Sequence, residues 1–236
     1  MIEDCAHAIE SEFRGRKAGT VGDYGCFSFY VTKNVATGEG GMVLSRDAEA
    51  IARIKQLALH GMSKDAWKRF GDEGYRHYDI VEAGFKYNMT DLSAALGLRQ
   101  LARIENGWQR RRDIWARYLQ ELADLPIGLP APAEPDTRHA FHLFTILVDE
   151  DRASMNRDSF IKGMTAHHIG VGVHYRALPE HAFYRERLGW SPEDVPHATA
   201  IGRQTVSLPL STKLTDDDVG DVVEAVKRIF AGGGKA

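Results

Sequence analysis

The chain is poor in cysteine: Cys5 and Cys26 are its only two in 236 residues. Two thiols cannot build the multi-bridge framework of a small secreted fold, so both are expected as reduced, buried apolar side chains in a cytoplasmic protein. Long apolar runs are missing too. No stretch reaches the roughly 18 to 20 residues that span a bilayer, and the opening "MIEDCAHAIE" has neither the basic nor the apolar region of a signal peptide. Neither sign of charge dominates. A net charge of -3 offers no electrostatic footing for nucleic acid or an anionic membrane. Metal-site spacings are also absent, with no Cys-x-x-Cys pair and no His-Glu-x-x-His run. His139 and His142, three apart on an expected strand, would point to opposite faces, and the adjacent His167 and His168 fall at a helix end. What is present is an ordinary globular composition, 43% hydrophobic and 27% charged, enough for a large domain or a medium one plus a small one.

Apolar periodicity and punctuation give the expected elements. "MIED" reads as the end of a short strand, followed by helical "CAHAIESEF" and a Gly/Lys/Arg loop. "CFSFYV" and "GGMVLS" read as strands, and Asp47 opens the helix "DAEAIARIKQLALH". Residues 61–85, polar and carrying Trp67, Tyr75 and Tyr78, read as a long functional loop. Leu92, Ala95, Leu96, Leu98, Leu101 and Ile104 recur at helical spacing in a helix over 90–125, which Gly107 kinks or splits. Pro126, Pro130, Pro132 and Pro135 mark a boundary. Beyond it come a strand ("AFHLFTILV"), a helix ("NRDSFIKGMTAHH"), a strand ("GVGVHYRA"), a short helix, a strand ("TVSLPL") and a last helix. Thr215 caps that helix, with Asp218 three residues on. The expected domains are thus 1–125 and a small α+β unit over 126–236.

One stretch stands out. In "GDYGCFSFYVTKNVATGEGGM" an apolar strand ends in a lone lysine, Lys33, and glycines crowd the chain behind it. A desolvated amine forms Schiff bases at neutral pH. A carbonyl cofactor such as pyridoxal phosphate needs that amine, donors for its phosphate and a carboxylate for its ring nitrogen. Asp4, at a strand end, is the candidate carboxylate or else a helix cap. His7 lies beside the ring or is structural. Ser28 donates to the phosphate or bonds backbone. Asn88 presents an amide to an anion or caps the next helix. Arg176, in "VHYR" with His174, suits a carboxylate or phosphate, or is an ordinary surface arginine.

"EDCAHA", the Gly22–Met42 stretch, "LHG", "GFKYNMTDLSAALGLRQL" and "GVGVHYRALPEH" together resemble the DegT-type sugar-nucleotide aminotransferases. The "SFxxxKN…GEGG" block is the most specific of these. The nearest branch is that of the UDP-4-amino-4-deoxy-L-arabinose–oxoglutarate aminotransferases. The resemblance implies an α/β chain: part of the large domain of the fold type I pyridoxal phosphate enzymes, then a small α+β domain. It also implies transamination of a nucleotide-linked keto sugar, with glutamate and 2-oxoglutarate as the donor pair, in cell-surface polysaccharide or lipid A type sugar synthesis. By motif, Lys33 matches the lysine that binds pyridoxal 5'-phosphate covalently and then moves a proton. Asp4 matches the ring-nitrogen partner, His7 the residue beside the ring and Ser28 a phosphate donor. Asn88 matches an asparagine that reaches the neighbouring subunit's phosphate, which implies a homodimer with shared sites. His174 and Arg176 fall where the nucleotide sugar or the donor's carboxylate is contacted. A histidine in place of the lysine marks a deoxygenating subgroup, so Lys33 argues for transamination.

Family members carry a further long stretch before "EDCAHA", with a Gly-Thr/Ser phosphate loop and several strands. The chain is accordingly expected to be a fragment, a mis-called start or half of a split protein. A catalytically incomplete fragment or a non-catalytic assembly partner of the same family is the alternative function, and a cofactor-free lysine Schiff-base enzyme such as an aldolase the last.

Overall fold

The computed structural model describes residues 1–63 and 78–232, so Trp67, Tyr75 and most of the expected long loop lie outside the described residues. Two compact units divide the chain: Met1–Asn106 with Ala133–Ala140, and Gly107–Pro132 with Phe141–Ala236. Residues 107–125 therefore go with the second unit and 133–140 with the first. Packing explains both assignments. Ile114, Trp115 and Tyr118 belong to the second unit's core cluster, while residues 137–138 pair with a strand of the first.

In the first unit, β1 (Ile2–Asp4), β4 (Tyr24–Ser28) and β5 (Gly41–Leu44) form a sheet in the order β1-β4-β5. β1 and β4 are parallel, with Asp4 opposite Cys26. β4 and β5 are antiparallel, with Ser28 opposite Gly41. Between β1 and β4 lie β2 (Glu12–Phe13) and β3 (Arg16–Lys17), which join β6 (Thr137–Arg138) in an antiparallel sheet of order β3-β2-β6. Residues 5–13 are thus not the expected helix. Two successive turns, Ala8 N–H to Cys5 O and Ser11 N–H to Ala8 O, lead instead into β2, which pairs with the adjacent β3 in a tight hairpin and with β6 far along the chain. Gly25 lets β4 approach the preceding loop: a Cβ there would sit 2.3 Å from the Gly19 Cα.

α1 (Ala48–Ala58) starts at Asp47, whose carboxylate accepts from the Glu49 and Ala50 N–H groups. The long helix expected over 90–125 is two helices, α2 (Asp91–Leu101) and α3 (Ile104–Glu121). The break falls at Ala102–Arg103. Gly107 lies inside α3, where a Cβ would press on Thr212 Cγ2 at 3.3 Å, so that glycine serves close approach and not a bend. α2 buries no residue; Leu92, Leu96, Leu98 and Leu101 are all exposed.

The second unit is built on β7 (Phe144–Leu147) and β8 (Thr205–Leu208), antiparallel with Phe144 opposite Leu208. Around them stand α4 (Glu150–Ala153), α5 (Arg157–Ala166), α6 (Ala182–Leu188), α7 (Pro196–Gln204) and α8 (Asp216–Gly232). Phe144, Ile146, Phe160, Met164, Val206, Val219 and Val226 are fully buried, and Tyr118 donates its hydroxyl to Pro209 O at 2.9 Å. Burial pushes that phenol's pKa up. Thr215 and Asp218 form the expected capping box at α8. Two expected strands shrink. β7 is short, so His139 and His142 lie on irregular backbone before it. Of "GVGVHYRA" only Gly172 pairs, in an isolated bridge to Ser207, glycines being weak strand formers. Among the described residues no helix is long and apolar enough to cross a membrane.

Candidate active site

The parallel pairing of β1 and β4 brings their C-terminal ends to one edge of the sheet, where α/β sheets offer their ligand sites. Asp4 ends β1 and Ser28 ends β4. The connection from β4 to β5, which carries Lys33, emerges at this edge and returns to it.

Lys33 is held from both sides. Its N–H donates to Tyr30 O at 2.9 Å, and the buried Val35 follows two residues on. At the base of the connection, Phe29 N–H donates to Gly40 O at 2.8 Å while Thr37 N–H donates to Phe29 O at 2.9 Å. Buried Thr37 donates its hydroxyl to Glu39 O at 2.8 Å. Gly40 has φ of 157°, and a Cβ there would meet Thr37 Oγ1 at 2.6 Å and Met89 Cε at 2.9 Å. The glycine-rich segment is therefore a closed loop, and the chain beside Asn88 packs against it.

The half-buried Lys33 extends its Nζ to within 2.6 Å of His7 Nε2. An ammonium has only donors, so a charged Lys33 donates to a bare Nε2. Asp4, three residues before His7, is exposed. No helix follows it to cap; its Oδ1 accepts from Ala6 N–H at 3.0 Å, an Asx turn that leads the chain toward His7. Ser28 Oγ takes a long bond, 3.4 Å, from Tyr30 N–H.

The structure brings Lys33 and His7 into contact and puts Asp4 and Ser28 at the same sheet edge. Asn88 is exposed, and its amide oxygen accepts from Lys86 Nζ at 2.7 Å. It does not cap α2, because Thr90 does so by accepting from Ser93 N–H. His174 and Arg176 belong to the other unit. There His174 Nδ1 lies 2.7 Å from the Oγ of buried Ser207, and exposed Arg176 donates to Glu180 O at 3.0 Å.

Three supporting residues escaped sequence reasoning. Glu3, beside Asp4, accepts from the N–H groups of Gly19, Val21 and Gly22 and so ties the loop ahead of β4 to β1. The Gly22 bond, first among these donors, holds its carboxyl below the ordinary range. Thr37 closes the Lys33 loop. Glu10 is 1% exposed and accepts from Asn34. The available signal was an acid doubled at a strand end; Glu10, between Ile9 and Ser11, carries none.

Comparison with known proteins decides the kinship. The model of the DegT/DnrJ/EryC1/StrS aminotransferase family matches residues 1–227. The chain belongs to this family. Across 232 residues it is 46% identical to the uncharacterized protein MJ1066 of Methanocaldococcus jannaschii, covering 98% of this chain and 60% of that one. Spore coat polysaccharide biosynthesis protein SpsC of Bacillus subtilis is 42% identical over 234 residues, with the same coverage of 98% and 60%. The pyridoxal phosphate form of Spr1654 from Streptococcus pneumoniae, assigned as a sugar aminotransferase, superposes with a TM-score of 0.87. It is 31% identical, covering 99% of this chain and 58% of its own. The chain thus spans 60% of the length of the curated relatives it matches. The family is pyridoxal-phosphate-dependent, and the residues at the sheet edge fit that cofactor chemically: an amine for its aldehyde, a carboxylate for its ring nitrogen, a hydroxyl for its phosphate.

Proposed function

We propose that this chain carries the lysine-bearing part of a sugar aminotransferase that moves an amino group from glutamate to a keto sugar on a nucleotide, for cytoplasmic synthesis of a surface polysaccharide. The observation that carries the reading is the Lys33–His7 contact at the edge where Asp4 and Ser28 end their strands. SpsC and the sugar aminotransferase neighbours support the substrate class.

Bound at this edge, the cofactor supplies an electron sink for charge developing at the amino-bearing carbon. The chain's own residues do the rest. Lys33 offers a primary amine that can link covalently to an aldehyde and, once released, carry a proton. His7, whose Nε2 lies 2.6 Å from that nitrogen, holds it at one point of the loop. Asp4 is the anionic partner for a ring nitrogen, and Ser28 a hydroxyl for a phosphate oxygen. Asn88 serves a second copy's phosphate in a homodimer. His174 and Arg176 address the nucleotide sugar or the donor's carboxylate, Arg176 by paired N–H donors.

The test is covalent. The protein is mixed with pyridoxal phosphate, reduced with borohydride and mapped by peptide mass. The expected result is one dominant adduct, on Lys33, that Lys33→Ala removes. An adduct spread evenly over surface lysines in a folded sample overturns the reading and leaves the assembly partner in its place.

A further inference from the structure

Two side chains from the turns after β1 grip two consecutive residues after β4. His7 Nε2 lies 2.6 Å from Lys33 Nζ, and the Glu10 carboxylate accepts from Asn34 Nδ2 at 2.9 Å. His7 and Glu10 hold the same place in successive turns, each closed by a 3.0 Å backbone bond. The two contacts therefore form adjacent rungs between the same two segments. Their surroundings differ: His7 is exposed, whereas Glu10 is 1% exposed.

A carboxylate that deep is costly unless donors meet it. The Asn34 amide is such a donor, and the same nitrogen also donates to Ala140 O at 3.3 Å. Both N–H groups of that amide are thus committed. They tie the residue after Lys33 to points 24 and 106 residues away in the chain. A lysine tip has four side-chain torsions to lose, so a fixed Cα is what makes a defined position for it affordable.

We propose that Glu10 is a positioning residue: through Asn34 it sets the backbone turn that holds the Lys33 amine against His7. The inference rests on Lys33 being the reactive amine. Removing the buried rung leaves the amide without its charged acceptor and lets residue 33 drift, and small displacements of a reacting group are expensive.

The test compares the whole protein with Glu10→Ala, Asn34→Ala and Glu10→Gln. Each is treated with limiting pyridoxal phosphate and borohydride, and labelling of Lys33 is divided by that of the exposed lysines Lys55, Lys162 and Lys213. A loss confined to folding moves all four together; a loss of position moves Lys33 alone. Glu10→Ala and Asn34→Ala should each lower the ratio about tenfold, whereas Glu10→Gln, which keeps an acceptor oxygen and the volume, should stay within about threefold. If Glu10→Ala fails to fold, Asn34→Ala, at a half-buried position, decides. A parallel arm without cofactor measures the same ratio with acetic anhydride.

An unchanged ratio in both arms, or a Glu10→Gln loss as large as that of Glu10→Ala, overturns the proposal. No preference of Lys33 for pyridoxal phosphate in the unmodified protein, with a Glu10→Ala shift still present in acetylation, overturns the transaminase reading and upholds the positioning role.

Discussion

The two units carry different burdens. The main hydrophobic cluster, from Ile114 to Val226, lies wholly in the second unit. Among the described residues the buried hydrophobics of the first are Cys5, Phe29, Val35 and Ala140, and neither α1 nor α2 buries a residue. Yet the first unit holds Lys33, His7, Asp4 and Ser28. Each buried large apolar side chain is worth about 1.5–3 kcal/mol, so within this chain apolar burial contributes mostly to the second unit and little to the one with the proposed chemistry. The first unit fixes its reactive edge by another means, a mesh of hydrogen bonds: Glu3 to three loop N–H groups, Asn34 to Glu10 and Ala140, and Phe29 to both Thr37 and Gly40.

Paired truncations should break this contrast most visibly if it is wrong. Phe160 is fully buried and stacks on Phe230 with centroids 5.6 Å apart. Phe160→Ala should cost about 3–5 kcal/mol in denaturant unfolding. Leu92 is 82% exposed, and Leu92→Ala should change stability by less than about 0.5 kcal/mol. Equal costs would mean that the α2 surface is stabilised as a core is.

Helix caps give a smaller, sharper version. The Asn156 side chain accepts from Ser159 N–H at 2.9 Å and starts α5, which lines the core. Asn156→Ala should lower the main unfolding free energy by about 1 kcal/mol. Thr90 caps α2 in the same way at 3.2 Å. Thr90→Ala should leave that transition in place and loosen only the amide protection of α2. A midpoint shift as large as that of Asn156→Ala would sink the comparison.

The same division explains what could be read from residues alone. Strands β1, β4 and β5 were legible because local apolar runs end at acids and glycines, and α1, α5 and α8 because their caps are written beside them. Asp4 and Ser28 stand at strand ends that a local pattern reveals, whereas the apolar run read as a strand up to Lys33 leaves the sheet at Ser28, and Lys33 lies on the connection beyond it. Residues 5–13 were not legible. "AHAIESEF" satisfies a helical period, but Glu12 and Phe13 pair on one side with Lys17 and Arg16 in a hairpin only two residues long per strand, and on the other with Arg138 and Thr137, far outside any local window. Glu10 reads as a polar position on a helix, because Asn34, which donates to it, lies 24 residues further along the chain. The break near Ala102 carries no glycine or proline to announce it, whereas Gly107 announces a break that does not occur.

The smallest expected effect is a pH dependence that separates the units. Glu3 in the first and Asp218 in the second both accept backbone N–H bonds, from Gly22, Gly19 and Val21 for Glu3 and from Thr215 for Asp218. Both are held below their ordinary values. The unfolded chain therefore binds protons first, so each group's contribution is complete above the ordinary carboxylate range and is lost as pH falls through the lowered native value. What is lost differs. Protonated Glu3 releases the Gly19–Gly22 loop ahead of β4, a local event; protonated Asp218 weakens the start of α8, whose Val219, Val222 and Val226 are core. Amide protection at Gly19, Val21 and Gly22, corrected for intrinsic exchange, should fall on acidification at a pH still above the range where the second unit unfolds. Glu3→Gln should show that low protection at neutral pH already, since an amide oxygen replaces the charged acceptor. If instead those amides lose protection only together with Val222 and Val226, the loop is bound to the stability of the large core, and the hydrogen-bonded mesh does not hold the reactive edge by itself.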